Sequence, residues 1–275
     1  GCAVCASVTL AGHPVLGLLA AMAAGVCSGF VTAFLQTRLG IQSILAGIIV
    51  NTGLYTINIA VMGFASNLNL FACDSVFTWA KDAIGGTWYK LIVAAVIVAL
   101  VGVLISLFLN TRLGLSIRAT GDNPDMVRAS SINTGMMITI GLCVANALTG
   151  LSGGLLAQYQ KSCDINLGTG MVTIALASLI IGETIIGKGS MLKRVIGVIL
   201  GSCLYRFIVA VALRLNVPAE CLKLVSSIIV AVAIAFPYLK KQAVFYRQKR
   251  AAKAENEQYI AELLREERMG KGGNA

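Results

Sequence analysis

The chain has 275 residues, of which 57% are hydrophobic and only 12% are charged, and its mean hydropathy is +0.83. Soluble domains usually carry about 25% charged residues, so this composition excludes a water-soluble globular protein. The formal net charge of +10 is explained by basic loops beside a membrane, and we expect no nucleic-acid partner. The chain is therefore predicted to be a polytopic α-helical membrane protein.

Apolar segments occupy most of the chain. The sequence opens in one, Gly1 to Leu10, without the basic start of a signal peptide, so we expect a helix whose first residues are missing. Seven further runs follow: Val15–Leu35, Ile41–Met62, Leu91–Leu109, Met136–Ala157, Met171–Ile186, Val195–Leu213 and Leu222–Leu239. Most approach the 20 residues that a spanning helix needs, although Met171–Ile186 is short and could be tilted or broken. Continuous rather than alternating runs indicate helices and not barrel strands. The predicted fold is an all-α bundle of about seven full spans plus a truncated N-terminal helix.

Basic residues give the bundle an orientation, because cytoplasmic loops carry the excess of Lys and Arg. With the C-terminal tail inside, the inner side holds Arg38, Arg112, Arg118, Arg128, Lys188, Lys193, Arg194, Lys240, Lys241, Arg247, Lys249 and Arg250. The outer side holds fewer: Lys81, Lys90, Lys161, Arg214 and Lys223. We expect a transmembrane domain over residues 1–241 in the cytoplasmic membrane. Residues 242–275 then form a charged cytoplasmic tail whose basic first part lies near anionic lipid headgroups.

Residue patterns that carry catalysis or bind metals are weak. The eight cysteines lack metal-ligand spacing; Cys73 and Cys163 fall in outer loops and could pair, but the sequence does not decide it. The glycine-rich stretch 182–189 approaches a phosphate-binding loop but lacks Ser or Thr after Lys188. We expect no catalytic residue, metal site or cofactor in this chain.

A polar stretch from Arg112 to Asn133 separates two apolar runs on the inner side. Within it, Asp122–Ser131 predicts a short helix that Asp122 or Asn123 caps and Pro124 begins. Such a helix, held between two spans, could transmit force from a cytoplasmic partner, or the stretch could be a plain connection. The candidate coupling residues are Asp122, Asn123, Pro124, Asp125, Arg128 and Ser131.

Polar residues also occur inside the apolar runs. Asn51, Tyr55 and Asn58 share one helical face at i, i+4 and i+7, and Asn146 lies on a small, polar face of Met136–Ala157. Polar groups that face lipid are costly, so both faces should line a substrate pathway or pack against helices, and both interpretations stay open. Helix packing is favoured for the small-residue pairs Gly25/Gly29, Gly150/Gly154 and Gly197/Gly201.

The run from Arg118 to Asn133, RATGDNPDMVRASSIN, resembles the cytoplasmic coupling segment of the ABC-importer permeases that serve branched-chain amino acids and ribose. LTGLSGGL at 148–155 and TIALASLIIGE at 173–183 resemble later motifs of that family, in the same order. The stretch 45–63 is similar to the subgroup for tryptophan or tyrosine uptake. The similarity covers roughly Val15 to Lys241. Glu183 departs from it, standing where the sugar and branched-chain permeases usually have a second glycine.

This resemblance implies a permease subunit of an ATP-driven importer for a small solute. The expected cargo is an amino acid, and in the subgroup that the stretch 45–63 resembles it is an aromatic one. ATPase subunits, which hold ATP and Mg²⁺, would grip Asp122–Ser131. A second permease copy or a related permease would complete the pathway, and an extracytoplasmic binding protein would deliver the solute. The alternatives are a secondary transporter or channel, a sugar importer of the same type and, third, a membrane enzyme. ATP-dependent uptake distinguishes an ATP-driven importer from a secondary transporter or channel.

Overall fold

The computed structural model describes residues 1–71, 73–86, 88–187 and 189–214, and the isolated positions 224, 227, 228, 231, 232, 235, 242, 245, 246, 248 and 249. Apart from those positions, the predicted span Leu222–Leu239 and the tail 242–275 lie outside the described residues, as does Lys188. The helices are α1 (Cys2–Leu10), α2 (Pro14–Thr37), α3 (Ser43–Val61), α4 (Val76–Ile84), α5 (Tyr89–Asn110), α6 (Arg112–Asp122), α7 (Pro124–Ala129), α8 (Thr134–Gln160), α9 (Met171–Ile186) and α10 (Met191–Arg214). Two short strands, β1 (Asn67–Asn69) and β2 (Ser162–Asp164), pair antiparallel.

Five helices of the described part are long and apolar enough to cross a membrane: α2, α3, α5, α8 and α10. Their lengths, 19 to 27 residues, match the thickness of a bilayer core at 1.5 Å per residue. The helix α9 has 16 residues and at about 24 Å is short of a full crossing. The multi-pass helical fold is thus confirmed, and five of the roughly seven predicted full spans are observed.

Residues Gly1–Thr169 form one compact unit, built around the antiparallel pair α2 and α8. Glycines make this contact close. A Cβ atom at Gly25 would strike the carbonyl oxygen of Asn146, and one at Gly29 would lie 2.6 Å from that of Leu142. Gly150 meets the carbonyl oxygen of Ala21 in the same way. The predicted packing role of these glycines is confirmed.

The two ends of this unit differ in chemistry. At the sheet end, defined by β1 and β2, Leu68 pairs with Cys163 and the polar loops after α3 and α8 come together. At the opposite end, the basic end, α2 finishes at Thr37 beside Gly135 at the start of α8. The basic residues predict that the loops with Arg38, Arg112, Arg118 and Arg128 lie on one side of the membrane and those with Lys81, Lys90 and Lys161 on the other. In this unit the first group lies at the basic end and the second at the sheet end.

Residues Gly170–Ala275 form the second unit, in which α9 and α10 make a helical hairpin. Gly182 lies against Gly197, and Gly201 lies against the carbonyl oxygen of Ser178, so the predicted packing role of Gly197 and Gly201 is also confirmed. The connection turns at Gly187, whose φ of 80° suits glycine.

Candidate functional site: a short helix at the basic end and the polar face of a spanning helix

The basic end carries α7, a helix of six residues between α6 and α8. Its cap is Asn123, whose side-chain oxygen accepts hydrogen bonds from the backbone N–H groups of Asp125 and Met126, each at 3.1 Å. Pro124 occupies the first helical position, where its missing N–H is harmless. Of the two predicted caps, the structure uses Asn123, while Asp122 ends α6 instead.

The sequence before α7 was expected to be a polar connection, but it is the 11-residue helix α6. The hydroxyl of Thr111 caps it, accepting from the N–H of Gly114 at 3.2 Å. This helix packs on α5 and α8. A connection built from helices holds α7 more firmly than an extended loop would, because its backbone groups are bonded within the segment.

Most of α7 faces away from the bundle. Val127 is its buried anchor at 2% exposure, whereas Met126 is 62% exposed. The side chains of Asp125 and Arg128 are 89% and 68% exposed and form an ion pair at 3.7 Å. An exposed pair of this kind contributes only about 0.2–0.5 kcal/mol. The surface of α7 therefore presents two charges and a methionine to its surroundings.

The same helix is fastened to the start of α8. The Nε atom of Arg128 donates to the hydroxyl of Thr134 at 3.2 Å, and the side chain of Asn133 caps α8 by accepting from Met136 N at 3.1 Å. The backbone N–H of Ile132 donates a hydrogen bond to the carbonyl oxygen of Val127. Hydrogen bonds thus connect α7 directly to α8, and glycine contacts connect α8 to α2. Ser131, the last predicted coupling residue, turns the chain between α7 and α8 with φ of 60°.

A cavity of about 980 Å³ opens where α2, α7 and α8 meet. Arg38, Arg128 and Asn133 line it together with Phe30 and Phe34. Guanidinium and amide groups next to aromatic rings give it a polar and an apolar side. Its place at the basic end puts it beside the exposed surface of α7.

Two of the three residues of the predicted polar stripe lie at exposed positions of α3. Asn51 is exposed, Tyr55 is 50% exposed and Asn58 is half-buried. Among the described residues, the side chains of these three make no hydrogen bond. The neighbouring Thr52 differs, because its hydroxyl donates to the carbonyl oxygen of Ile48 at 2.9 Å. Because unsatisfied amides are costly in lipid, this face requires water, solute or another protein surface.

Asn146 belongs to a different environment. Its Nδ2 atom donates to the carbonyl oxygen of Leu142 at 2.9 Å, and its backbone meets Gly25 of α2. The main neighbours of α3 are α1 and α2 rather than α8. The four predicted pathway residues therefore form two groups, the stripe of α3 and the single Asn146 at the contact between α2 and α8.

Comparison with known proteins settles the family. The family described as "Branched-chain amino acid transport system / permease component" matches residues 1–234. The chain belongs to this permease family.

Named relatives of the permease differ in their stated cargo. The tyrosine transport system permease protein of Clostridioides difficile (strain R20291) is 34% identical over 222 residues, covering 81% of this chain and 72% of the relative. The ribose import permease protein RbsC of Escherichia coli (strain K12) is 24% identical over 238 residues, covering 81% and 68%. The D-allose transport system permease protein AlsC of the same strain is 33% identical over 141 residues, covering 50% and 41%. No solved structure matches the permease.

Membership makes the chain a membrane transporter subunit of the ABC type and a multi-pass protein of the cytoplasmic membrane, as the sequence motifs predicted. ATPase and substrate-binding partners are general for such transport systems. In the described part of the permease, no group of three His, Cys, Asp or Glu side chains is placed to hold a metal ion.

Sequence reasoning missed Gln158, a buried residue at the sheet end with 1% exposure. Its Nε2 atom donates to the carbonyl oxygen of Pro14 at 2.8 Å and to the hydroxyl of Thr9 at 3.3 Å. Its Oε1 atom accepts from Val76 N at 3.2 Å. One amide thus joins α8, α1 and the starts of α2 and α4. The signal was its spacing, since Gln158 continues the Gly150 and Gly154 face at i+4.

The sequence left open whether Cys73 and Cys163 pair, and the structure places Cys163 against a different cysteine. The Sγ atom of Cys163 lies 2.7 Å from that of Cys2, while the backbone of Cys73 turns back to Leu70. The reason is the pairing of β1 with β2, which turns Cys163 into the apolar core beside α1.

Proposed function

We propose that this permease is the translocating subunit of an ATP-driven importer and that its cargo is an amino acid. The observation that carries the first part is α7, a short helix at the basic end that exposes Asp125, Met126 and Arg128 and is hydrogen-bonded to α8. The second part is supported by the greater identity to the tyrosine permease, 34%, than to the ribose permease, 24%.

In this mechanism, cytoplasmic ATPase subunits, which bind ATP and Mg²⁺, hold the exposed surface of α7. Their closure pulls α7, and Arg128 and Asn133 pass the movement to the start of α8. Because α2 and α8 touch at backbone distance through glycines, the two helices move together. Access then alternates between the two sides of the membrane as the partners shift the populations of two states.

The stripe of α3 is our candidate for the pathway. Two amides and a phenol offer donors and acceptors to a polar solute without adding a fixed charge. A second permease copy, or a related permease, would enclose this exposed face, and an extracytoplasmic binding protein would deliver the solute at the sheet end. Asn146 would act at the contact between α2 and α8, where the movement passes.

The test is reconstitution of the permease into liposomes with its ATPase and binding protein. We expect uptake of radiolabelled tyrosine that requires ATP, is lost when the ATPase lacks its catalytic carboxylate, and is unaffected by ion gradients. Uptake driven by an ion gradient without the ATPase would overturn the importer in favour of a secondary transporter. ATP-dependent uptake of ribose with none of tyrosine or other amino acids would overturn the cargo alone.

Replacing Asn51 or Asn58 by Ala is expected to lower uptake about 10-fold or more, because a hydrogen bond to a charged group contributes roughly 1.5–3 kcal/mol. The measurement is the initial uptake rate in the same liposomes. The matched control is Thr52→Ala, whose hydroxyl serves its own helix at Ile48 and should leave uptake near normal. Equal losses in all three variants would argue against a pathway role for the stripe.

A further inference from the structure

Two cysteines from distant parts of the chain meet at the sheet end. The Sγ atoms of Cys2 and Cys163 are 2.7 Å apart, whereas unbonded heavy atoms pack best at about 3.5–4.0 Å. Two separate sets of contacts hold the two cysteines next to each other. The pairing of Cys163 with Leu68 holds the strand, and close packing of α1 on Gly153 and Gly154 of α8 holds the helix.

The surroundings of the pair are apolar. Cys163 is 1% exposed and shares its core with Ala6, Met62 and Leu70, with Cys2 at the edge of that cluster. The neighbouring Cys5 differs, because its sulfur contacts Gly154 O at 3.6 Å and the amide of Gln158 at 3.5 Å. The Cys2 and Cys163 sulfurs hydrogen-bond only to each other within the described residues, so neither is held away from the other by a competing polar group.

We propose that Cys2 and Cys163 form a structural disulfide that ties α1 to the two-stranded sheet. The inference rests on the proposed orientation, which places the sheet end outside the cytoplasm, where disulfides persist. It gives the sheet end a covalent link between the first helix of the described chain and the loop that follows α8.

Its formation is an ordinary thiol–disulfide exchange with an oxidised dithiol protein of that compartment. The thiolate of one cysteine attacks a sulfur of the donor disulfide and forms a mixed disulfide. The thiolate of the second cysteine then displaces the donor sulfur, so that one S–S bond forms in the permease and one breaks in the donor. The two permease thiols lose two electrons and two protons, and the donor becomes a dithiol.

The test is thiol counting on the full-length protein from native membranes. Free thiols are blocked during denaturation, and the blocked and unblocked cysteines are mapped by mass spectrometry with and without prior reduction. We expect Cys2 and Cys163 to react only after reduction, and Cys5 to react without it. Cys2→Ser should free Cys163, Cys163→Ser should free Cys2, and the matched control Cys5→Ser should leave the pair linked.

Reaction of Cys2 and Cys163 in the unreduced wild-type protein, to the same extent as Cys5, would overturn the disulfide. That result is distinguishable from failure of the importer, since ATP-dependent uptake is measured separately. As a second readout that does not depend on the variants folding well, reductant should lower the melting temperature of the wild-type and Cys5→Ser proteins. An unchanged melting temperature in both would also count against the link.

Discussion

Exchanging the charges of α7, Asp125→Lys together with Arg128→Glu, is expected to lower uptake by at least about 30-fold while ATP hydrolysis continues. The two residues can still form their ion pair within α7, so the exposed helix should keep its shape. A partner that fits the original pattern then meets like charges, which costs several kcal/mol. The measurement is the ratio of solute taken up to ATP hydrolysed in liposomes, with membrane insertion checked by extraction yield.

A second variant separates partner contact from the tether to α8, because Arg128 also bonds Thr134. Met126→Glu leaves that bond in place and alters only a side chain that is 62% exposed. It should uncouple hydrolysis from uptake in the same way. The control is Thr52→Ala in α3, which leaves α7 unchanged and should behave as wild type. Normal coupling in both α7 variants would eliminate the role proposed for this helix.

Gly25→Ala is expected to destabilise the permease by about 3 kcal/mol or more, although it adds a single methyl group. The new Cβ atom would strike the carbonyl oxygen of Asn146, and neither backbone can yield without separating α2 from α8. Overpacking of this kind usually costs about 1–3 kcal/mol, and more where rigid backbone resists. Melting temperature and the yield of monodisperse protein in detergent measure the effect.

The matched control is Gly53→Ala in α3, where nothing lies within 4 Å of the added Cβ atom. In a helix with open space, alanine is favoured over glycine by about 0.5–1 kcal/mol, so this variant should be unchanged or slightly more stable. Of the two identical substitutions, only the one at Gly25 is thus expected to lower stability. Similar losses of stability in both variants would mean that the added methyl group at Gly25 does not clash with Asn146, and that α2 and α8 are therefore less closely packed than in the structure.

Much of the fold could be predicted because a membrane helix is specified by the composition of its own segment, a continuous apolar run of spanning length. The run Ile41–Met62 corresponds to α3 at Ser43–Val61, and Asn123 with Pro124 specifies the start of α7 through short-range capping chemistry. Glycine spacing at Gly25 and Gly29 likewise predicted close packing. In each case the physical cause lies within a few residues of the signal.

Features that depend on distant segments were not predicted. The strands β1 and β2 have three residues each, too short for an alternating pattern to be recognised. The helix α6 was missed because its sequence is polar and interrupted by glycine; packing on α5 and α8 helps to hold it. The separation of Asn146 from the stripe of α3 depends on which helices are neighbours, and one helix face alone does not reveal that.

The buried amide of Gln158 also has a consequence for the order of assembly. It belongs to the last turn of α8, yet it bonds Val76, 82 residues earlier, and Pro14, 144 residues earlier. During synthesis, the residues of α1, α2 and α4 are therefore made before the side chain that joins them exists. Until α8 arrives, the carbonyl oxygen of Pro14 and the amide of Val76 depend on water or on the insertion machinery. Completion of the sheet end is thus a late event in the biogenesis of this permease. A chain that ends before Gln158 would lack the hydrogen bonds by which this side chain joins α1, α2 and α4.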